Sequence, residues 1–356
     1  MVRTPASKFW NGKRVFLTSP TSFLGTWTAL SLRHLGAQVF CLAEEAASSP
    51  NLFDLSNLAQ TVSMTYGDLR NEETCRQVLN FAQADVVLHL GESGLLQQAE
   101  KKPLDVISKS VMGTAVLMEL LRETASVRSV VVASSDKVYE RNNENKPFVE
   151  GDKVAAGDLL PTAKLCAEFI ALSYRSTYFT PEKYNKHKIA VATARLGSAI
   201  GGGDFSETSL IPQAAKCFVN KTSLEVRNPN SVRPWIHVLD QVSGLLLLAE
   251  ALYEKGPKLA PTYNLGASDY ESVEEVLREF AQAWGAIEKP TEAGPRRHLS
   301  LHGQMSSELA LQDLGWQPKW DLSAALNETA GWYRGYYLGA GTASIMSESL
   351  NKFFPG

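Results

Sequence analysis

The sequence predicts an α/β fold, a Rossmann-like doubly wound parallel sheet with a smaller, interleaved C-terminal α/β lobe. Over residues 1–196, short apolar runs alternate with longer amphipathic stretches. The runs are continuously apolar rather than alternating, so both faces of each strand should be buried under helices. Such strand–helix repetition is typical of a doubly wound sheet. Glycines and prolines break this rhythm from residue 197 onward, which predicts that a second lobe begins there.

The predicted elements follow one another in chain order. The predicted strands are residues 15–17, 38–42, 61–64, 85–90, 130–133 and 189–195. The predicted helices are residues 23–35, 104–122, 162–178, 238–253, 272–283 and 322–337. We therefore predict a first domain at 1–196, a second lobe at 197–338 and a tail at 339–356. The tail has no clear period and is either loose or a packing arm.

Length and composition exclude several classes of protein. A chain of 356 residues favours two lobes, and 44% hydrophobic with 21% charged residues is typical of a globular protein. The net charge of −3 gives no basic footprint for nucleic acid or an anionic membrane. Four cysteines lack metal-site spacing, and the N-terminus lacks the apolar core of a secretory signal. We predict a cytoplasmic protein without a metal site.

The first predicted βα turn is where a dinucleotide-binding sheet carries glycines, because its backbone approaches a pyrophosphate at the helix N-terminus. Ser19 and Ser22 stand where the first two glycines would be, Phe23 follows, and Gly25 remains. Ser22 can offer an anion its hydroxyl and N–H, but its Cβ crowds the approach. An ordinary polar turn that caps a helix explains the segment equally well.

Carboxylates follow the second and third predicted strands. Glu44 and Glu45 lie where a dinucleotide-binding sheet holds the adenosine ribose, and Asp68 follows the third strand, where it could meet the adenine amino group. Two glutamates would repel the extra phosphate of NADP, so NAD is favoured if either cofactor binds. A solvated pair of charges at a strand end is the alternative.

Ser135, Asp136 and Lys137 follow directly on the strand at 130–133. The carboxyl ends of central strands face the ligand crevice of such a sheet. A hydroxyl, a carboxylate and an ammonium in three consecutive residues suit proton transfer in both directions. Polar residues of these types also form ordinary turns, but the position favours function.

Lys164 lies near the start of the helix at 162–178. A tyrosine four residues before such a lysine would share its helical face, and the cation would stabilise the phenolate as a general base. Position 160 is Leu160, which cannot serve as a base.

Two arginines in the second lobe suit a diphosphate. Arg227 and Arg233 lie six residues apart in a loop bracketed by prolines that limit its mobility. Phe205 and Trp235 offer stacking or apolar surface nearby. A structural hairpin with surface arginines is the alternative.

The chain resembles the extended short-chain dehydrogenase/reductase superfamily, and within it the CDP-glucose 4,6-dehydratase branch. The segments that carry the resemblance are 9–16, 52–54, 67–68, 111–114, 135–139, 200–204, 227–229, 233–235 and 314–316. The resemblance implies that NAD⁺ takes a hydride from C4 of a CDP-sugar while a tyrosine removes the hydroxyl proton. The new ketone acidifies C5, water leaves from C6, and the hydride returns to C6.

The resemblance also implies a role for individual residues. Asp136 and Lys137 would serve the elimination, Ser135 would hold the C4 oxygen, and Lys164 would anchor the cofactor ribose. The implied cofactor-binding residues are Ser19, Ser22, Phe23, Gly25, Glu45, Asp68 and Lys164. The implied substrate-binding residues are Leu210 and Pro212 in a turn, Arg227, Arg233 and His237. A homodimer formed through the helices at 104–122 and 162–178 is implied as well.

The departures from the family pattern all fall on the cofactor side. Serines replace two glycines of the first turn, Glu45 replaces an aspartate, Leu160 replaces the tyrosine, and Gly91-Glu92 replaces two alanines. The sequence therefore leaves both NAD binding and catalysis open. The first hypothesis is a lyase that dehydrates a CDP-hexose to a 4-keto-6-deoxy sugar, or runs a variant proton transfer. The alternative is a non-catalytic, CDP-sugar-binding or regulatory paralogue without NAD-dependent redox chemistry. A third hypothesis, which the sequence supports less, is a dinucleotide sensor that has lost its substrate chemistry.

Overall fold

The computed structural model describes residues 3–46, 48–91, 101–140, 146–226, 228–267, 270–286, 291–292 and 304–355. The strands are β1 (Arg14–Thr18), β2 (Gln38–Ala43), β3 (Ser63–Tyr66), β4 (Val86–His89), β5 (Ser129–Ser135), β6 (Ala190–Leu196), β7 (Ser198–Ile200), β8 (Glu225–Val226), β9 (Val232–Arg233), β10 (Trp235–His237), β11 (Thr262–Leu265), β12 (Glu271–Ser272) and β13 (Thr291–Glu292).

The helices follow the same chain order. They are α1 (Ser7–Trp10), α2 (Phe23–His34), α3 (Leu52–Leu55), α4 (Glu72–Ala82), α5 (Pro103–Leu121), α6 (Leu159–Thr177), α7 (Tyr184–His187), α8 (Leu210–Asn220), α9 (Val238–Lys255), α10 (Val273–Trp284), α11 (Glu308–Leu314), α12 (Leu322–Tyr337) and α13 (Thr342–Phe353).

Seven of these strands form one parallel sheet in the order β11-β6-β5-β4-β1-β2-β3. Phe16 lies opposite Phe40 on one side and Val87 on the other, which fixes the central register. The chain runs outward from β1 in one direction and returns to β4 on its other side. The predicted doubly wound fold is confirmed, and the reversal at β1 opens a crevice beyond the carboxyl ends of the strands.

Helices bury both faces of the sheet, as the continuously apolar strands require. One core cluster contains buried side chains of α4, α5 and α6, among them Leu117 and Ala171. The other contains residues 238–252 of α9 and extends to Phe353 near the C-terminus. Within the described residues, no helix is both long and apolar enough to cross a membrane.

Short strand pairs connect the C-terminal elements to the crevice. β10 runs parallel to β7, and β9 runs antiparallel to β12. Arg233 of β9 and Asp136, which follows β5, line the same cavity. The same apolar cluster continues from the sheet into α10 and α12. The division at residue 197 stays a prediction.

Several segments differ from the predicted elements, and the tail agrees with the packing-arm alternative. Leu210 and Pro212, expected in a turn, belong to the first turn of α8. Proline is tolerated there because the N–H that it lacks has no partner within the helix. The tail contains α13, whose buried Met346 and Phe353 pack on the core. Helix α4 is absent from the predicted elements; Asn71 caps it by accepting from the N–H of Thr74.

Candidate functional site

Two adjoining cavities lie beyond the carboxyl ends of the central strands. The first cavity measures about 440 Å³ and the second about 610 Å³. Lys137, Asp158 and Pro161 line both, so they form the wall between them. This is the position in which ligands bind to doubly wound sheets.

The turn after β5 divides its side chains between the two cavities. Ser135 ends the strand and starts a single 3₁₀ turn, Asp136–Val138. Its hydroxyl donates to Oδ1 of Asp136 at 3.1 Å and accepts from the N–H of Lys137 at 3.3 Å. Ser135 lines the first cavity, Asp136 lines the second, and the Lys137 side chain lies on the boundary.

Asp136 is a buried carboxyl beside two cations. It is 9% exposed, and burial raises its pKa, while the charges of Lys137 and Arg233 act in the opposite direction. Arg233, at the end of β9, lines the same cavity, and burial lowers its pKa. Its guanidinium carbon lies 5.5 Å from the ring centroid of Trp235. A carboxyl with a raised pKa in a cleft is suited to accept and return a proton.

Lys164 and Leu160 lie one turn apart near the N-terminus of α6 and both line the first cavity. Burial lowers the pKa of Lys164, the charge of Lys137 lowers it further, and Asp136 acts in the opposite direction. Leu160 packs against the small apolar cluster of Val106 and Ala163. The place of a catalytic phenol is therefore filled by an apolar contact.

The first βα turn keeps the shape of a glycine-rich loop. Ser19 has a φ of 56°, and a Cβ on Gly25 would lie 2.0 Å from the carbonyl oxygen of Ser19. Ser22 caps α2: its hydroxyl accepts from the N–H of Gly25 at 3.0 Å and donates to the carbonyl of Ser19 at 2.9 Å. Ser22 and Phe23 line the first cavity. The Ser22 hydroxyl thus forms within the turn the contacts that an anion would otherwise make.

Glu45 and Asp68, the carboxylates predicted to bind a cofactor, do not line the two large cavities. Glu45 is exposed and lines neither of the two large cavities. Asp68 pairs with Arg70 at 2.5 Å, and this hydrogen-bonded guanidinium lowers the pKa of Asp68. Ser19 and Asp68 line a separate pocket of about 20 Å³.

The predicted substrate-binding residues are dispersed. His237 is buried, caps α9 by accepting from the N–H of Leu239, and lies 4.6 Å from Trp320 between ring centroids. Burial lowers the pKa of His237 to about 3. Leu210 and Pro212 lie beside Ser209, which lines the first cavity, but do not line it themselves. Arg227 lies outside the described residues.

Asp204, which is not among the residues predicted from the sequence, lines the first cavity. Its carboxylate accepts from the N–H of Ser206 at 2.9 Å, and burial raises its pKa. The available signal is the glycine run before it: a Cβ on Gly202 would lie 2.0 Å from the indole of Trp332. That close packing holds the loop that carries Asp204. Within the described ranges, no cluster of three or more His, Cys, Asp or Glu side chains could hold a metal ion.

Comparisons with known proteins agree with this architecture. The profile of the NAD dependent epimerase/dehydratase family matches residues 15–266. The chain is 32% identical to CDP-glucose 4,6-dehydratase of Salmonella typhimurium over 93% of both chains. Among solved structures, it is similar to dTDP-glucose 4,6-dehydratase of Bacillus anthracis in complex with NAD, with a TM-score of 0.74, 20% identity, and 91% and 97% coverage. It is also similar to UDP-glucose-4-epimerase of Stenotrophomonas maltophila with bound NAD and formylated UDP-arabinopyranose. The TM-score is 0.78 at 21% identity, and the match covers 92% of this chain and 100% of the epimerase.

Proposed function

Because the chain belongs to the NAD dependent epimerase/dehydratase family, we propose that it binds a CDP-hexose in the second cavity and acts on it by proton transfer. The single observation that carries the proposal is Asp136, a buried carboxyl between Lys137 and Arg233 at the wall of this cavity. The protein would work as a homodimer in the cytoplasm.

The chemistry follows from the positions of the three residues after β5. A ketone at C4 of the sugar makes the C5 proton acidic. Ser135 lines the first cavity, so it would hold the ketone oxygen by a hydrogen bond where the sugar reaches the boundary of the two cavities at Lys137. Asp136 and Lys137 would between them remove the C5 proton and deliver a proton to the C6 oxygen, which leaves as water while a double bond forms between C5 and C6. Two groups positioned for proton transfer contribute about 10²–10⁴-fold each to such steps.

Arg233 would bind the diphosphate of the nucleotide sugar. A guanidinium matches the planar geometry of phosphate oxygens, and its burial beside Trp235 leaves it little freedom to lose on binding. We propose that Arg227 joins it, as the family pattern implies, and that Leu210, Pro212 and His237 support this end of the site.

The residues present do not fit NAD as a working redox cofactor. Oxidation at C4 needs a base for the hydroxyl proton, and Leu160 packs on Val106 where that base would lie. The hydroxyl of Ser22 already bonds the N–H of Gly25 at the N-terminus of α2. We therefore assign no hydride step to this chain and propose a sugar that already carries the C4 ketone as its substrate.

A non-catalytic CDP-sugar-binding or regulatory role is the second candidate. The observation that favours it is again Leu160, because an apolar contact at the base position removes the step that starts the family reaction. Both candidates require CDP-sugar binding, and they differ in whether Asp136 and Lys137 exchange a proton with the sugar.

The deciding experiment follows deuterium incorporation at C5 of a CDP-4-keto-6-deoxyhexose in D₂O by NMR. Incorporation above the background rate supports proton transfer; none, with CDP-sugar binding intact by calorimetry, favours the non-catalytic role. Absence of CDP-sugar binding would contradict both. CDP-glucose with NAD⁺ is the second substrate, and the wild-type chain should give no 4-keto product from it.

A repair variant tests the assignment of Leu160. Leu160→Tyr, alone and with Ser19→Gly and Ser22→Gly, restores the pair of side chains one helical turn apart with Lys164. If the variant binds NAD⁺ and the rest of the site is positioned for the family reaction, 4-keto product forms from CDP-glucose and NAD⁺; the latch proposed below predicts that this also requires Arg70→Ala/Lys109→Ala. Leu160→Met, which keeps an apolar side chain of similar volume, is the control.

The proposed homodimer forms through α5 and α6, which pack side by side in one chain. Met112 on α5 is 52% exposed and Phe169 on α6 is 51% exposed, and a second copy would cover them. Phe169→Glu should shift the protein to a monomer in sedimentation velocity. Phe81→Glu is the matched control, because Phe81 is 70% exposed on α4, outside this surface.

A further inference from the structure

Very little room remains at the end of the crevice where a dinucleotide-binding sheet holds adenosine. That end lies over the carboxyl ends of the first three strands of the fold. Here Thr18, Ala43 and Gly67 line a pocket of about 20 Å³. This volume holds about one water molecule, whereas pockets for drug-sized ligands measure roughly 300–1,000 Å³.

A chain of ion pairs runs along this pocket. Nζ of Lys109 on α5 lies 2.6 Å from Oε2 of Glu44 and 3.1 Å from Oδ2 of Asp105. Arg70 lies 3.0 Å from Asp105 and 2.5 Å from Asp68. Lys109 is 14% exposed, so its ammonium is largely enclosed by the groups around it.

We propose that these five residues, Glu44, Asp68, Arg70, Asp105 and Lys109, form a latch. The latch closes the adenosine subsite and prevents dinucleotides from binding in the crevice. The carboxylates that would accept hydrogen bonds from adenosine are bonded to the protein's own cations. The inference concerns ligand exclusion rather than turnover, so it stands or fails independently of the proposed function.

The contacts of Asp68 show why adenosine competes poorly. Nε of Arg70 donates to Oδ1 of Asp68 at 3.0 Å and to Oδ2 at 2.9 Å, and Nη2 donates to Oδ2 at 2.5 Å. Charge-assisted, forked hydrogen bonds of this kind are roughly twice as strong as neutral ones. The neutral amino group of adenine would have to displace Arg70 and then bond a carboxylate that had lost its counterion.

The other members close the neighbouring position. Glu44 directly follows β2, at the level where a ribose would lie, and Lys109 reaches it from α5 across the pocket. A ribose hydroxyl would have to replace an ammonium at 2.6 Å. If the latch is open only a small fraction of the time, the apparent affinity for a dinucleotide falls by that fraction.

Calorimetry with two probes, adenosine and NAD⁺, tests the latch on the full chain. Adenosine is neutral, so its binding reports on room and hydrogen bonding rather than on net charge. The test variant is Arg70→Ala/Lys109→Ala, and the milder Lys109→Met keeps the length of the side chain without its charge. The matched control is Arg76→Ala/Lys352→Ala, which removes an arginine and a lysine from exposed ion pairs with Glu72 and Glu328.

The latch predicts that wild-type protein and control bind both probes with a Kd weaker than about 1 mM. The double variant should bind adenosine and NAD⁺ at least about tenfold more tightly, with Lys109→Met between them. Micromolar binding of NAD⁺ by the wild type contradicts the proposal. So does an unchanged affinity in both Lys109→Met and the double variant, with cooperative thermal unfolding showing that they fold.

Discussion

The two ends of the crevice contain the same kinds of charged group but arrange them differently. Over β1–β3, Asp68 and Glu44 are bonded to Arg70 and Lys109 around a pocket of about 20 Å³. Over β5 and β6, Asp136 lines a cavity of about 610 Å³. Both ends carry carboxylates and cations just beyond the carboxyl ends of strands. The volume of the pocket and the ion pairs already formed therefore decide which carboxylate can bind a ligand.

The two sides of Lys137 also differ in what their side chains contact. On one side, the turn at Ser19 and Ser22 and the side chain of Leu160 make contacts within the protein. Asp136 and Arg233 lie on the other side of Lys137 and face open volume. Both cavities are open, but the first is bordered by Ser22 and Leu160, which already make contacts within the protein, whereas the second is bordered by a carboxyl and a guanidinium.

The largest expected effect separates two aspartates. Asp136→Asn should reduce deuterium incorporation at C5 of a CDP-4-keto-6-deoxyhexose by about 10²–10⁴-fold, because an amide cannot accept the proton. Asp68→Asn, at the closed end, should change the rate less than about twofold. Equal losses in both variants would remove the functional distinction between the two ends.

The next effect separates two arginines. Arg233→Ala should weaken CDP binding by about 2 kcal/mol or more, roughly thirtyfold, because it removes a buried charge from the second cavity. Arg70→Ala should leave CDP affinity within about twofold. Calorimetry with CDP measures both, and a larger effect for Arg70 would show that the nucleotide lies at the other end of the crevice.

Most of the fold follows from the sequence, because burial on both faces produces continuously apolar strands that need no tertiary information to recognise. The strand predicted at 130–133 lies within β5, and the helix predicted at 322–337 has the bounds of α12. The site is only partly predictable. Asp136 and Lys137 are found because the end of a central strand has a known position. The burial of His237, which the family resemblance assigns to substrate binding, is not predictable, because its contact with Trp320 joins residues far apart in the chain.

Long-range partners account for the remaining differences. The pairing of Glu44 with Lys109 links a strand end to a helix 65 residues later, and nothing local to either residue indicates it. Asp68 is a similar case: its neighbour Arg70 is visible in the sequence, but whether the side chain turns toward Asp68 depends on packing against α5. The residue type and its place in the chain predict where a carboxylate lies. Whether that carboxylate is free to bind a ligand depends on its tertiary contacts.

A third prediction concerns the shape of the first turn. Gly25→Ala would place a Cβ 2.0 Å from the carbonyl oxygen of Ser19, a backbone atom that cannot move without opening the turn. The free energy of unfolding should fall by about 2 kcal/mol in urea titrations. Gly331→Ala is the matched control: this helical glycine has no atom within 4 Å of the added Cβ, so alanine should stabilise α12 by about 0.5–1 kcal/mol.

The smallest expected effect concerns whether Ser19 and Ser22 each raise or lower the free energy of unfolding. Ser19 adopts a φ of 56°, which costs a non-glycine residue about 1 kcal/mol, while glycine loses more chain entropy on folding. Ser19→Gly should therefore raise the free energy of unfolding by no more than about 1 kcal/mol. Ser22→Gly should lower it by a few tenths of a kcal/mol, because it removes the cap on Gly25. Opposite signs in urea titrations would show that Ser22 stabilises a turn strained at Ser19. A clear loss of stability in Ser19→Gly would contradict this and show that the first serine contributes to the turn as well.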